Sequence, residues 1–153
     1  FICGCLILTK QDYDYKIFQK RKDFHSVLAL KLEIVSRGMF FQAENLKTVI
    51  MPEVVEIYGG NGESEAFVGT KVSRCSFGKL KRIGAQAFKG CSIRMLNERN
   101  FPLLQTVGRA CFDNSLVERL NLPNLQQIDD FGFSECPITD FELPQQHSID
   151  NIN

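Results

Sequence analysis

The sequence predicts a solenoid of stacked coils in which each coil carries one β-strand. Three observations predict this fold: an apolar frame with a central Phe returns five times, the repeat length is in the low twenties, and Pro closes several frames. A period this short leaves no room for a helix pair, and it matches one turn of a solenoid whose coils pack only on their neighbours. The predicted class is of the α/β type but dominated by β-structure, with about five coils and a parallel strand ladder.

The last two frames align without a gap, because seven residues recur 21 places later. They are Leu104, Val107, Phe112, Val117, Leu120, Leu122 and Pro123, followed by Leu125, Ile128, Phe133, Ile138, Phe141, Leu143 and Pro144. The preceding frame has three extra residues between Leu96 and Phe101, and the one before it is stretched by a Gly-rich insertion over residues 59–64. The predicted column of central rings is Phe41, Phe67, Phe88, Phe112 and Phe133.

These frames divide the chain into three predicted parts. Residues 1–31 are either an N-terminal cap or a partial preceding coil, and the repeats of residues 32–145 start near residues 32, 54, 80, 104 and 125. Residues 146–153 form a polar C-terminal tail.

Each predicted coil contains a strand, two corners and one short turn. Leu120 and Leu122 are spaced by two, so they point to one face of an extended segment, and the Pro after them ends the strand. A second corner is predicted at Gly84 and Gly108, which tolerate positive φ, with Asp129 as a substitute. The stretch around each central Phe is long enough for a single helical turn.

The repeat that starts at Leu80 resembles a known class of repeats. The run Leu80-x-x-Ile83-Gly84-x-x-Ala87-Phe88-x-x-Cys91, followed by a strand and a Pro, resembles the BspA-like class of leucine-rich repeats. The likeness covers roughly residues 30 to 145. It implies a leucine-rich repeat solenoid that binds other proteins and takes part in cell-surface adhesion. It assigns no catalytic residues and names no ligand.

The charged residues are distributed unevenly although the formal net charge is zero. Residues 71–109 contain nine Lys or Arg and one acid, for a net charge of +8, and residues 113–153 contain eight acids and one Arg, for −7. Residues 1–70 contribute −1, which closes the sum. Because a solenoid keeps sequence order in space, a basic middle and an acidic end are expected side by side. Such a field steers charged partners, although solvation of coil edges explains scattered cations at least as well.

The six cysteines fit reduced thiols better than disulfides. Cys91 and Cys136 occupy one slot two coils apart, with Ser115 between them. At about 4.8 Å per coil they lie near 10 Å apart, beyond the limit of about 7 Å between Cα atoms for a disulfide. Reduced thiols point to the cytoplasm, whereas the family resemblance points to the cell surface, so the compartment stays unknown.

Neither a catalytic site nor a cofactor or metal site is predicted. Cys3 and Cys5 form one pair without a second pair, and His25 and His147 stand at opposite ends of the chain. Gly59-Gly60-Asn61-Gly62 has the glycines of a phosphate loop but no following Gly-Lys-Ser/Thr. No apolar run approaches the roughly 20 residues that a membrane span requires. The chain is therefore predicted not to be an enzyme.

The outward face of the strand ladder is the predicted partner-binding surface. Its candidate residues are Arg74, Arg94, Met95, Arg119, Asn121, Asp140 and Glu142. Arg119 beside Asp140 is a predicted surface pair, while Arg74 and Arg94 are expected to lack an acid in their own rows. Unpaired cations beside an exposed Met favour an acidic or mixed protein surface as the partner.

Two alternatives remain open at this stage. Apolar coil ends could stack molecules into longer assemblies, which would give the chain a structural role and self-association. Nucleic-acid binding through residues 71–109 is disfavoured, because Phe77, Phe88 and Phe101 fall in core positions and leave no exposed aromatics for stacking.

Overall fold

The fold is a parallel β-solenoid in which apolar side chains fill the inside of every coil. The computed structural model describes residues 3–14, 17–60, 62 and 65–144. The polar tail predicted for residues 146–153 lies outside these residues. Most of the buried apolar side chains form one continuous core from Leu6 to Phe133.

The described residues contain twelve strands, which lie in two ladders. The front ladder contains β1 (Cys5–Leu8), β2 (Ser26–Ala29), β4 (Thr48–Ile50), β6 (Arg74–Ser76), β8 (Met95–Asn97), β10 (Arg119–Asn121) and β12 (Asp140–Glu142). The side ladder contains β3 (Ile34–Val35), β5 (Glu56–Ile57), β7 (Arg82–Ile83), β9 (Thr106–Val107) and β11 (Gln127–Ile128). All pairings between neighbouring strands are parallel.

The side ladder adds a second strand to each coil, whereas the sequence predicts only one strand per coil. Its strands are two residues long and lie at the Ile or Val position of each frame. Val35, Ile57, Ile83 and Val107 point inward and are buried, while the residue before each points outward. A β-branched side chain on a half-buried surface favours strand geometry, which explains why these short segments pair.

The central rings form one continuous stack through the solenoid. Phe67, Phe88, Phe112 and Phe133 lie with ring centroids 4.7 to 5.4 Å apart and interplanar angles of 7° or less. All four are almost completely buried. Such pairs add about 0.5 to 1.5 kcal/mol each beyond the area that they bury. The predicted column is therefore confirmed at these four positions.

The prediction is wrong at Phe41, where Phe40 takes the place in the column. The Phe40 ring stacks 5.3 Å from Phe67 and 5.5 Å from Phe18, while Phe41 is only half-buried. The spacing distinguishes the two rings, since Phe40 follows Val35 by five positions, as Phe88 follows Ile83.

The structure has about six turns where the sequence predicts about five. Phe18 continues the ring stack, and β1 pairs with β2 in parallel register. The described part of residues 1–31 thus contains two front-ladder strands, β1 and β2, and the ring of Phe18 at the same positions as in the later coils.

The side of the coil that holds the rings is formed by turns, and the structure has no helix among the residues it describes. The residues two places after each ring are left-handed, with φ between 54° and 74°. They are Lys20, Gln42, Gly69, Gly90, Asn114 and Glu135. A left-handed residue in every coil prevents the run of right-handed residues that a helical turn requires.

Backbone hydrogen bonds on this side run between coils instead. Phe88 N–H donates to Cys111 C=O over 3.0 Å, and Gly90 N–H donates to Asp113 C=O over 2.9 Å. Phe112 and Asn114 repeat the pattern with the coil that follows. The single helical turns predicted at the Phe positions are thus replaced by turns that pair coil to coil.

Gly84 and Gly108 lie at the predicted corner, but neither has positive φ. A Cβ on Gly84 would lie 2.3 Å from Gly59 N, and a Cβ on Gly108 would lie 2.8 Å from Ala85 N. Glycine is required here because the backbones of adjacent coils approach closely, so the predicted reason for these glycines is wrong although their place is right.

The Gly-rich insertion is anchored by a buried carboxylate at its end. Glu65 is fully buried, and its Oε1 accepts hydrogen bonds from Arg37 Nε at 3.0 Å and from Gly62 N–H at 3.1 Å. Arg37 belongs to the preceding coil, so the ion pair fixes the insertion to its neighbour. The described ranges contain no helix that could cross a membrane.

Candidate functional site

The outward face of the front ladder carries the predicted partner-binding residues in rows set by the parallel register. In the first row, Arg74 lies beside Thr48, and Arg119 lies between Met95 and Asp140. In the second row, Asn121 lies between Asn97 and Glu142. Outward positions recur every second residue, so each coil contributes two side chains to this face.

Arg94 does not belong to these rows, which corrects the predicted pairing of Arg94 with Met95 as two outward neighbours. Arg94 lies directly before β8 and is exposed, so it lines the front face without standing in a register row of the strand. Its guanidinium forms an ion pair with Glu118 of the next coil. The expectation that Arg94 lacks an acid is therefore wrong, and the outward partner of Met95 in β8 is Asn97.

Arg74 and Arg119 are the cations of the two register rows that form no ion pair with any described residue. Both side chains are exposed. Arg119 and Asp140 are register neighbours, as predicted, but they make no ion pair in the described part of the chain. Glu142 instead accepts a hydrogen bond of 2.7 Å from Asn121 Nδ2.

The front ladder is interrupted once, between β6 and β8. Strands β1, β2, β4 and β6 form one sheet, and β8, β10 and β12 form another. The predicted continuous surface is thus two surfaces with an opening between them. The interruption coincides with Glu98, Arg99 and Asn100, the three extra residues of the third frame, which form a turn directly after β8.

Asn100 holds this turn in place with both ends of its side-chain amide. Its Nδ2 donates to Met95 C=O over 2.8 Å, and its Oδ1 accepts from Asn97 N–H over 2.7 Å. These are the two backbone groups that β8 would use to pair with β6. The Asn100 carboxamide therefore substitutes for a peptide unit of the missing neighbour and closes this edge of β8.

Two adjoining grooves follow the interruption on the front face. The first, of about 490 Å³, is lined by Ser73, Arg74, Cys75, Ser92, Arg94, Met95, Asn97, Arg99 and Asn100. The second, of about 200 Å³, is lined by Met95, Asn97, Arg119, Leu120, Asn121, Asp140 and Glu142. All seven residues predicted from the sequence line one groove or the other, and Met95 lines both.

Sequence reasoning missed Asn97, Arg99 and Asn100 as residues of this site. The signal for them is the excess of three residues between Leu96 and Phe101. An insertion into a repeat maps to a surface loop, and loops on a binding face carry recognition residues.

The buried thiols have environments that suppress their reactivity. Burial raises the pKa of the Cys91 thiol to about 12, and burial also raises the pKa of Cys111 well above its usual value. Because the thiolate is the nucleophile, neither group is activated near neutral pH. Cys136 Sγ lies 3.2 Å from Ser115 Oγ, which occupies the position between Cys91 and Cys136. All six cysteines are free thiols.

Across the described ranges, no group of three or more His, Cys, Asp or Glu side chains is placed to hold a metal ion. The His25 imidazole contacts Cys3 C=O through Nε2 at 3.1 Å and Ser26 Oγ through Nδ1 at 2.9 Å. His147 lies outside the described residues.

Comparison with known proteins identifies one family. Six copies of the BspA type leucine-rich repeat region match residues 11–102 and 81–153. No curated protein is significantly similar to the chain.

Among solved structures, a leucine-rich repeat protein from Eubacterium ventriosum is similar, with a TM-score of 0.69 and 20% sequence identity. The likeness covers 97% of this chain and 40% of the other. The chain therefore spans 40% of the length of that protein, and the likeness shows the fold alone.

Proposed function

Because the chain belongs to the BspA-type leucine-rich repeat family, we propose that it is a non-catalytic protein-binding module that uses the front face of its strand ladder. The observation that carries the proposal is the convergence of all seven candidate residues on two adjoining grooves of one face. Exposed cations without an acidic partner, beside an exposed Met, favour a protein surface of acidic or mixed character.

The finer proposal is that this binding serves adhesion at a cell surface or contact with a host or partner protein. It rests on the family resemblance alone, and fold by itself does not assign function. The non-catalytic character is supported by the buried Cys91 thiol, whose pKa is raised. It is also supported by the ion pairs that hold charged side chains of adjacent coils together, such as Lys79 with Glu53, Arg82 with Glu56 and Lys89 with Asp113.

A charge-reversal variant tests the face as a whole. The combination of Arg74→Glu, Arg94→Glu and Arg119→Glu should abolish capture of the partners that the parent protein retains in a quantitative pull-down. The matched control combines Lys31→Glu, Lys81→Glu and Arg109→Glu, which make the same change in net charge away from the front ladder. Equal capture by the two triple variants would refute the front face as the binding surface.

A second candidate function is assembly by stacking of coil ends. The observation that favours it is Phe141, which takes an inward position in β12 and yet is 40% exposed. Ile138 and Leu143 beside it are only partly buried. An increase of molecular mass with concentration in light scattering, reversed by Phe141→Ser, would support this role, and a constant monomer mass would remove it.

A further inference from the structure

The opening between β6 and β8 is a slit with two closed ends. At one end Ser92 N–H donates to Val72 C=O over 2.9 Å, and at the other Phe77 N–H donates to Asn100 C=O over 3.0 Å. Between these bonds the two strands do not pair. The slit therefore spans only a few residues, which is too short to receive an additional strand in the plane of the sheet.

The two long sides of the slit differ in their free hydrogen-bonding groups. On the β8 side, the Asn100 carboxamide occupies Met95 C=O and Asn97 N–H. On the β6 side, Arg74 N–H donates to Lys47 C=O of the preceding coil. Since alternate residues of a parallel strand bond to opposite neighbours, the N–H and C=O of Cys75 face the slit. No described strand pairs with β6 there.

The rim of the slit is cationic. Arg74, Arg94 and Arg99 line the groove above it, and of these only Arg94 has an acidic partner, Glu118, among the described residues. Glu98, the acid of the inserted turn, is absent from the lining. A guanidinium presents paired donors that match the two oxygens of a carboxylate. The groove thus offers two unpaired guanidinium groups and one backbone N–H that faces the slit.

We propose that the slit binds a carboxylate of an acidic protein segment, with Arg74 and Arg99 as charged donors and the Cys75 N–H as a neutral donor. The proposal rests on the proposed function, because it names the anchor point of the front face and the chemistry of its partner. A peptide carboxylate suits the short opening, since it needs only two or three donors around one planar group. A single-stranded nucleic acid would need aromatic side chains for stacking, and none lines this groove.

Fluorescence anisotropy with defined peptides tests the proposal directly. The probes are a labelled ten-residue peptide of alternating Glu and Ser, the same peptide with Gln for Glu, and a labelled ten-nucleotide oligothymidine. The parent protein should bind the Glu peptide at least about tenfold more tightly than the Gln peptide, and this preference should weaken as salt is raised. Equal affinity for the Glu and Gln peptides, or tighter binding of the oligonucleotide, would overturn the proposal.

Three variants separate the slit from general charge effects. Arg74→Glu with Arg99→Glu should lower affinity for the Glu peptide by at least about tenfold, while Lys81→Glu with Arg109→Glu, of equal net charge, should change it by less than about threefold. Asn100→Asp places a carboxylate beside the slit and should weaken peptide binding; because Asp cannot donate to Met95 C=O, it should also lower the melting temperature, so binding is measured well below the transition. Equal loss in the slit variant and the control would overturn the slit as the anchor.

Failure of the slit inference can be distinguished from failure of the proposed function. If the slit variant binds the Glu peptide as the parent does, the slit inference fails. The front face still stands as the binding surface if the triple variant at Arg74, Arg94 and Arg119 loses its captured partners.

Discussion

The ring stack and the front ladder follow the same repeats, but only the stack is continuous. Six rings from Phe18 to Phe133 keep a spacing of 4.7 to 5.5 Å through every coil, including the coils that carry insertions. The front ladder breaks between β6 and β8, where three residues are inserted. Coils thus tolerate an insertion on the surface as long as the ring and its flanking apolar positions stay in register.

This difference separates stability from recognition. Each solenoid coil is stabilised mainly by contact with its neighbours, so a regular core can hold an irregular surface strand in place. The irregular junction is also where unpaired cations and a free backbone edge come together. We therefore expect core substitutions to lower the free energy of unfolding without changing which ligand the folded protein prefers. Substitutions at the junction should change ligand preference and leave the free energy of unfolding nearly unchanged.

The largest expected effect is the loss of a ring from the middle of the stack. Phe112→Ala removes a fully buried side chain that stacks on Phe88 and Phe133, and it should lower the free energy of unfolding by about 3 to 5 kcal/mol. Denaturant unfolding followed by circular dichroism measures the change. For a chain of this length the loss is a large fraction of typical total stability.

Phe40 and Phe41 provide a matched control for this prediction. Phe40→Ala should destabilise as strongly as Phe112→Ala, whereas Phe41→Ala should cost less, since its ring is half-buried and outside the stack. A larger loss from Phe41→Ala than from Phe40→Ala would show that the register of the first repeats is misplaced.

An intermediate effect is expected where neighbouring backbones touch. Gly84→Ala places a Cβ 2.3 Å from Gly59 N, and because this nitrogen belongs to the backbone and cannot rotate aside, the coils must move apart, at a cost of about 1 to 3 kcal/mol. Gly90→Asn is the control. Its position is left-handed but has open space, and Asn114 occupies the equivalent position one coil later. Similar melting temperatures for the two variants would contradict close approach as the reason for Gly84.

The sequence predicts the repeat architecture well, because spacing and apolar character are local properties that each coil repeats. Leu104 to Pro123 and Leu125 to Pro144 align without a gap, and the rings of Phe112 and Phe133 stack as that alignment requires. The choice between Phe40 and Phe41 was wrong because two adjacent rings fit a loose frame equally well. Only the distance from Val35 distinguishes them.

The sequence predicts which residues of the candidate site point outward, but not the contacts that these residues make. Arg74 and Arg119 follow from strand alternation, so their outward positions could be derived. The ion pair of Arg94 with Glu118 and the role of Asn100 depend on how an inserted turn folds back on β8, which spacing alone does not contain. Insertions in a repeat therefore need to be considered as structural elements in their own right.

Deletion of residues 98–100 is the most selective test of the comparison between stack and ladder. The deletion shortens the third repeat to the length of the fourth, so that Phe101 follows Asn97 directly, as Leu122 follows Asn121. Strand β8 then loses the two hydrogen bonds that the Asn100 carboxamide makes to Met95 C=O and Asn97 N–H. Backbone hydrogen bonds to β6 should replace them. The free energy of unfolding should change by less than about 1 kcal/mol.

Hydrogen exchange measures whether the ladder has closed. In the deletion variant the Cys75 and Met95 amides should exchange more slowly, because both would be bonded or covered between paired strands. The Glu peptide should lose its preference over the Gln peptide, since the slit and Arg99 are gone. Retained peptide preference with slowed exchange would show that recognition does not depend on the interruption, and a collapse of stability would show that the inserted turn belongs to the structural core of the coil.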